Sequence, residues 1–309
     1  MANRKISVIG AGNVGATTAH ILLSKHLGDV VLVDIAEGIA KGKALDLLHG
    51  TPIDEIHCHI HGTADMAETK GSDVVVITAG LARKPGMTRE ELLEKNAAIV
   101  GGIAEKAAQV SPKAVFIVAT NPLDVMTWLS LKKSKFPRER VLGMAGVLDS
   151  ARMVKLISGE LRVPHSEVKA MVLGSHGEAM VPLPRLCTVS GKPLTEVMPA
   201  EKIAEIVERT KNAGAEIVSH LQTGSAYYSP AMSIVEMVSC VLQDKKKILP
   251  CSVLLEGEYG EKGVCIGVPV KIGKGGAEEI IELELDEDEK KKLSSASGSI
   301  REMIGKLEA

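Results

Sequence analysis

Aromatic side chains are almost missing from this chain: two phenylalanines, three tyrosines and one tryptophan in 309 residues. The core must therefore be aliphatic, and the stacking platforms that hold single-stranded nucleic acid are absent. A surplus of one charge is missing too. Thirty-seven basic residues face 39 acidic ones, a formal net charge of -2, so no global field draws the protein to nucleic acid or to an anionic membrane. Any anionic ligand must be caught by local positive groups. No uninterrupted apolar run reaches the ~18 residues of a membrane span, and MANRKISVIGAG enters a strand-like run without a charged-then-apolar leader. Paired cysteines are lacking as well: Cys58, Cys187, Cys240, Cys251 and Cys265 are dispersed, with no CxxC. That suits a reducing compartment in which each thiol is a small apolar filler. The expectation is a soluble, cytoplasmic protein with neither nucleic acid nor membrane as partner.

What is present is an ordinary globular balance, 45% hydrophobic and 25% charged, at a length that suits two domains. In the first half, short β-branched runs alternate with helical patterns. Lys5–Ile9, Val30–Asp34, Asp73–Thr78, Lys113–Ala119 and Val141–Met144 read as parallel strands buried on both faces. Val14–Leu23 and Glu90–Ala108 read as helices between them, and the alternation predicts a doubly wound α/β sheet. After about residue 145 the rhythm changes. Helices over Ser150–Leu161, Pro199–Leu221 and Pro230–Leu242 are predicted, with strands over Val168–Leu173, Ser252–Glu256, Gly263–Lys271 and Glu278–Leu285. The expected division is residues 1–145 as a Rossmann-type nucleotide domain and 146–309 as an α+β substrate and catalytic domain.

Gly10-Ala11-Gly12-Asn13-Val14-Gly15 is a GxGxxG between a strand and an apolar-periodic helix. The glycines allow a tight turn and close backbone approach, and the helix start offers unpaired N–H groups to a pyrophosphate. Asp34 follows 19 residues after Gly15, at the end of the second strand. A carboxylate there accepts from ribose hydroxyls and repels a 2'-phosphate, which favours NAD over NADP as cofactor.

The chemistry is expected elsewhere. The segment GLARKPGMTR follows the strand ending near Ile77 and carries Arg83 and Arg89 six residues apart. Two guanidiniums on a mobile loop suit a carboxylate or a carbonyl gaining negative charge, although a solvated basic loop has the same pattern. Asn121, in Thr120-Asn121-Pro122, offers a donor and an acceptor at the sheet's C-terminal edge, and Asn-Pro is equally a common turn signal. In LDSAR, Asp149 and Arg152 are three apart and share a helix face, unless Asp149 or Ser150 is merely an N-cap. His176, in LGSHGEAM, leaves the end of an apolar run between Ser175 and Gly177. Alone, it reads more readily as a structural residue than as a proton-transfer group.

Taken together, GAGNVG, Asp34, GLARKPGMTR, TNP, LDSAR, GSHG and the later GSAYYSPA resemble, in order and spacing, the lactate/malate dehydrogenase family. The likeness covers nearly the whole chain and leans toward the malate-specific members of the lactate-dehydrogenase-like branch. It implies that His176 donates and accepts the proton, that Asp149 orients it, that Arg152 pairs with the substrate's C1 carboxylate and that Arg89 polarises the reacting carbonyl. It places Asn121 near the nicotinamide and the substrate oxygen. Gly10, Gly12, Asn13, Val14, Gly15, Asp34, Asn96, Thr120 and Asn121 are the implied cofactor contacts.

The likeness also makes Arg83 the specificity residue, where lactate-specific relatives usually have glutamine. Oxaloacetate carries a carboxylate where pyruvate has a methyl, and a buried carboxylate left unpaired costs ~2 to 5 kcal/mol. Ala226, where lactate enzymes tend to have a larger threonine, leaves room for it. Small-molecule malate or oxaloacetate, NAD and a homodimer or homotetramer are thus expected. The rival readings are a lactate or other 2-hydroxy-acid dehydrogenase and a catalytically silent NAD-binding paralogue. One departure stands out: Glu178 and Ala179 follow His176-Gly177, where the family more often has Asp, then Thr or Ser.

His57, His59 and His61 alternate and would share one strand face, a spacing that can chelate zinc. With no second ligand cluster in the sequence and no need for a metal in the chemistry, they are read as a solvent-facing edge strand, and no metal is expected.

Overall fold

The computed structural model describes residues 4–81, 87–177 and 179–308, with Arg89 by its backbone alone. In the first half, β1 (Lys5–Ile9), β2 (Asp29–Val33), β3 (Ile60–Thr63), β4 (Val74–Ile77), β5 (Val115–Val118) and β6 (Val141–Gly143) alternate with helices. These are α1 (Asn13–Ser24), α2 (Glu37–Gly50), α3 (Arg89–Val110) and α4 (Leu123–Ser134). The six strands are parallel in the order β3-β2-β1-β4-β5-β6. Runs such as VVVI in β4 and VFIV in β5 are buried at every position, as helices on both faces require. Helix α3 opens with a reciprocal cap: Thr88 Oγ1 accepts from Glu91 N and the Glu91 carboxylate accepts from Thr88 N.

The second half contains α5 (Gly146–Leu161), β7 (Val168–Lys169), β8 (Val172–Gly174), β9 (Met180–Pro182), β10 (Thr188–Val189), β11 (Lys192–Pro193) and α6 (Leu194–Val197). It continues with α7 (Ala200–Leu221), α8 (Tyr228–Gln243), β12 (Lys247–Glu256), β13 (Lys262–Gly273), β14 (Gly276–Ile280) and α9 (Glu287–Glu308). Its antiparallel strands join the parallel set directly. Ser252 of β12 pairs with Gly143 of β6, and Gly267 of β13 pairs with Gly174 of β8. Glycine is needed at this seam: a Cβ on Gly143 would stand 2.4 Å from Thr127 Oγ1, and one on Gly267 would stand 2.6 Å from Gly174 O.

Several boundaries differ from the sequence reading, among them the end of the expected strand Glu278–Leu285, which β14 leaves at Ile280. The expected strand Val168–Leu173 is two strands in two sheets, β7 pairing with β10 and β8 with β9. The ladder breaks because Val172 N donates to Ser150 Oγ of α5 and Met171 O accepts from Leu183 N. Helix α5 starts at Gly146, so Asp149 lies within its first turns and is no N-cap. Strand β12 starts five residues before Ser252 and accommodates Pro250 by placing it opposite Pro269, a pairing that hides a strand from any rule disfavouring proline. The histidine triplet also differs: only His61 lies in β3, at the sheet's edge, where its Nε2 approaches Glu68 Oε2 at 2.6 Å. Among the described residues no cluster of histidine, cysteine and acid has the arrangement of a metal site, and no helix is long and apolar enough to cross a membrane.

Candidate active site

The C-terminal ends of β1, β4 and β5 face one crevice, where open α/β sheets place ligands. At its cofactor end Gly10 has φ +106°, and a Cβ there would fall 2.6 Å from Ala79 N. Gly15 is packed harder: its Cβ would stand 1.8 Å from Gly10 O. Gly12 is different. It caps α1 with φ -67°, and a Cβ would meet no atom within 4 Å. Two glycines thus shape the turn, while the third keeps space clear in front of the helix. No side chain caps α1 and no acid sits in its first turn, so its leading N–H groups suit an anion.

Asp34 ties this loop to the end of β2. Its Oδ2 accepts from Ala11 N at 2.7 Å and its Oδ1 from Ala36 N at 2.9 Å. Lys43, which sequence reasoning did not single out, donates from Nζ to Ala11 O at 2.7 Å. Ala11 is therefore gripped at its N–H by an acid and at its carbonyl by a cation. Clear space at Gly12, open N–H groups on α1 and the Asp34 carboxylate together fit an adenine dinucleotide.

Asn96 and Thr120 brace the loops around the crevice. Asn96 Oδ1 accepts from Leu81 N at 2.7 Å, and its Nδ2 donates to Asn121 O at 2.7 Å. Thr120 Oγ1 donates to Ala79 O at 2.7 Å. Neither residue lines the cleft beyond.

That cleft, of about 410 Å³, brings together Val14, Asn121, Arg152, His176 and Ala226, all of them singled out in the sequence. Lys211 and Asn212 of α7 also line it. They were missed because polar residues on an amphipathic helix look solvated until the fold closes over them. Arg83 and Glu178 lie outside the described residues, as does the side chain of Arg89.

Beneath the cleft is a buried charge network. Asp149 Oδ2 accepts from His176 Nδ1 at 2.9 Å, and its Oδ1 accepts from Arg152 Nη1 at 3.2 Å. The Asp149 side chain is 2% exposed and that of His176 19%. Burial pushes the imidazole pKa down, but the charge and hydrogen bond of Asp149 outweigh it. Arg152 pushes downward and Asp124 upward, leaving His176 above its ordinary value of 6.5. With Nδ1 bound to Asp149, the proton available for exchange is at Nε2. Asp124, also missed, is buried on α4 and accepts from Ser175 Oγ and Ser252 Oγ, both at 2.7 Å. Burial raises its pKa, against the pull of those hydroxyls.

Comparison with known proteins points to one family. The family model described as lactate/malate dehydrogenase, NAD binding domain, matches residues 4–143. The companion α/β C-terminal domain model matches residues 146–309. The chain is 50% identical over 304 residues to a malate dehydrogenase of Methanosarcina barkeri, covering 98% of this chain and 99% of that one. It is 48% identical to one of Heliobacterium modesticaldum, covering 98% of each. Among solved structures, the malate dehydrogenase of Salinibacter ruber superposes with a TM-score of 0.94 at 46% identity, covering 98% of this chain and 97% of that one. A lactate dehydrogenase of Cryptosporidium parvum, complexed with lactic acid and β-nicotinamide adenine dinucleotide, gives 0.96 at 42% identity, covering 100% and 99%.

Proposed function

The chain belongs to the lactate/malate dehydrogenase family and is an NAD-dependent oxidoreductase, and on that premise we propose that it interconverts (S)-malate and oxaloacetate with His176 as the general acid and base. The observation that carries the reading is the Asp149–His176 contact at the floor of a cleft that Arg152 also lines. NAD held by the Gly10–Gly15 turn and Asp34 would supply the hydride chemistry between the carbinol and carbonyl carbons.

The protein's own groups supply the rest. His176 Nε2 takes the hydroxyl proton as the alcohol is oxidised and returns it in the reverse direction. Asp149 fixes the tautomer and stabilises the imidazolium. Arg152 pairs with the substrate's C1 carboxylate, Asn121 hydrogen-bonds near the reacting oxygen, and Arg89 polarises the carbonyl. Ala226 leaves room for the second carboxylate, and Arg83 pairs with it.

The same reading includes the division at residues 145 and 146, a cytoplasmic setting consistent with five free cysteines, and a homodimer or homotetramer. Self-association is supported by an apolar groove of about 790 Å³ between α5 and α8, bordered by Val154, Met171, Met232 and Ile248. Ile39 and Leu45 on α2 are exposed as well and add apolar surface that a copy of the chain would cover. Light scattering on the eluting protein checks it, and a monomer at working concentration contradicts it.

The activity is tested by NADH oxidation with oxaloacetate and with pyruvate side by side. Oxaloacetate is expected to be the preferred substrate. Preference for pyruvate selects the lactate-type reading, and turnover of neither selects the silent binder. Arg83→Gln should lower the oxaloacetate-to-pyruvate ratio at least ~10-fold; an unchanged ratio removes Arg83 from the specificity argument.

A further inference from the structure

Asp124 is a buried carboxyl to which the scheme above assigns no part. It stands in the first turn of α4, 3% exposed. Three donors converge on it: Ser175 Oγ at 2.7 Å, Ser252 Oγ at 2.7 Å and His176 N at 3.3 Å. They lie 51, 128 and 52 residues away in sequence, so one carboxylate holds the nucleotide half, strand β12 and the histidine loop at a single point. Ser252 is the residue of β12 that pairs across the seam with Gly143. The loop needs such an anchor. Ser175 and His176 are bracketed by Gly174 at φ +85° and Gly177 at φ +120°, a backbone free to swing on either side.

We propose that Asp124 is a positioning residue that docks the backbone of His176 and, through Ser252, registers the histidine-bearing half against the cofactor-bearing half. Asp149 orients the ring from α5, and Asp124 fixes the peptide from α4. This rests on His176 being the proton-transferring group. Among the described residues, the charged groups facing that histidine are Asp149 and Arg152 from α5, Asp124 from α4 and Lys211 across the cleft from α7.

The test uses two variants of the full chain. Asp124→Asn keeps the shape and removes the charge. Ser175→Ala removes one donor from a half-buried loop and leaves the carboxylate buried with two. Three quantities are read: the NADH dissociation constant by fluorescence, kcat and KM for oxaloacetate, and the His176 ring titration by NMR without cofactor. A misplaced reacting group costs rate steeply, so kcat should fall ~10- to 100-fold in Asp124→Asn and ~3- to 10-fold in Ser175→Ala. NADH affinity should hold within about twofold. The ring titration should move to lower pH in Asp124→Asn and stay in place in Ser175→Ala. Unchanged kcat in Ser175→Ala overturns the proposal even if Asp124→Asn fails to fold. A loss of NADH affinity matching the loss of kcat, or an unmoved titration in folded Asp124→Asn, overturns it as well. A wild-type protein that turns over pyruvate and not oxaloacetate would defeat the malate reading, while the same kcat comparison made with pyruvate would still decide this one.

Discussion

The two ends of the crevice are built from different materials. At the cofactor end the chain presents backbone: the turn at Gly10, the clear space at Gly12 and the uncapped start of α1. Its two charged side chains, Asp34 and Lys43, grip the loop from its margins. At the chemistry end the backbone recedes, and Asp149 and Asp124, 1% and 3% exposed, carry the geometry. Backbone donors keep their direction and do not titrate, which suits a pyrophosphate whose charge never changes. A proton carrier must titrate, so the other end needs ionised side chains, held where water cannot screen them. Side-chain substitutions should therefore act at the two ends on different quantities: turnover at one, cofactor affinity at the other.

The largest separation should come from His176→Asn. Turnover of oxaloacetate is expected to fall ~10³-fold or more, with NADH titrating fluorescence as in wild type. A matching loss of NADH affinity would merge the two ends into one unit. Asp149→Asn comes next, with a ~10²- to 10⁴-fold drop and a changed pH profile. Asp149 raises the pKa of His176, so the protonated form, which under the proposed mechanism donates the proton to the carbonyl oxygen, survives to higher pH, and the variant should lose activity from a lower pH upward. Stability has the same sign. A histidine whose folded pKa lies above 6.5 contributes stability that is complete below that value and lost as pH rises through the folded one. Melting temperature plotted against pH should lose that slope in Asp149→Asn. A pH profile that does not move would show that Asp149 sets neither.

The same contrast explains what the sequence revealed. The cofactor end was legible in GAGNVG and Asp34 because a backbone site is made of contiguous residues with fixed conformational demands. The chemistry end was legible only when fragments far apart were read together: His176 and Asp149 meet across 27 residues, and His176 alone had no decisive signature. Asp124 was invisible, because an acid in the first turn of a helix has a sufficient local explanation and its donors come from two other segments. Lys43 looked like any lysine on α2. The strand break at Ala170-Met171 was equally hidden, since an apolar run does not say which of two sheets each residue joins.

Two smaller effects probe the backbone end. Gly12→Ala should fold normally, since its φ is ordinary and nothing lies within 4 Å of the new methyl. The methyl would stand where the pyrophosphate approaches, weakening NADH ~10- to 100-fold with melting temperature and the His176 pH profile unchanged. A destabilised variant would mean that Gly12 serves the fold, like Gly15. Lys43→Met should act more weakly still. It keeps the aliphatic stem and leaves the Ala11 carbonyl without its donor, while Asp34 still holds the N–H. One part-buried charged hydrogen bond is worth ~1.5 to 3 kcal/mol at most, and solvent can replace much of it here. NADH affinity should thus fall only ~3- to 10-fold, with kcat at saturating NADH unaltered. A fall in kcat at saturation would show that the grip on Ala11 reaches the chemistry, and that the two ends are less separate than their materials imply.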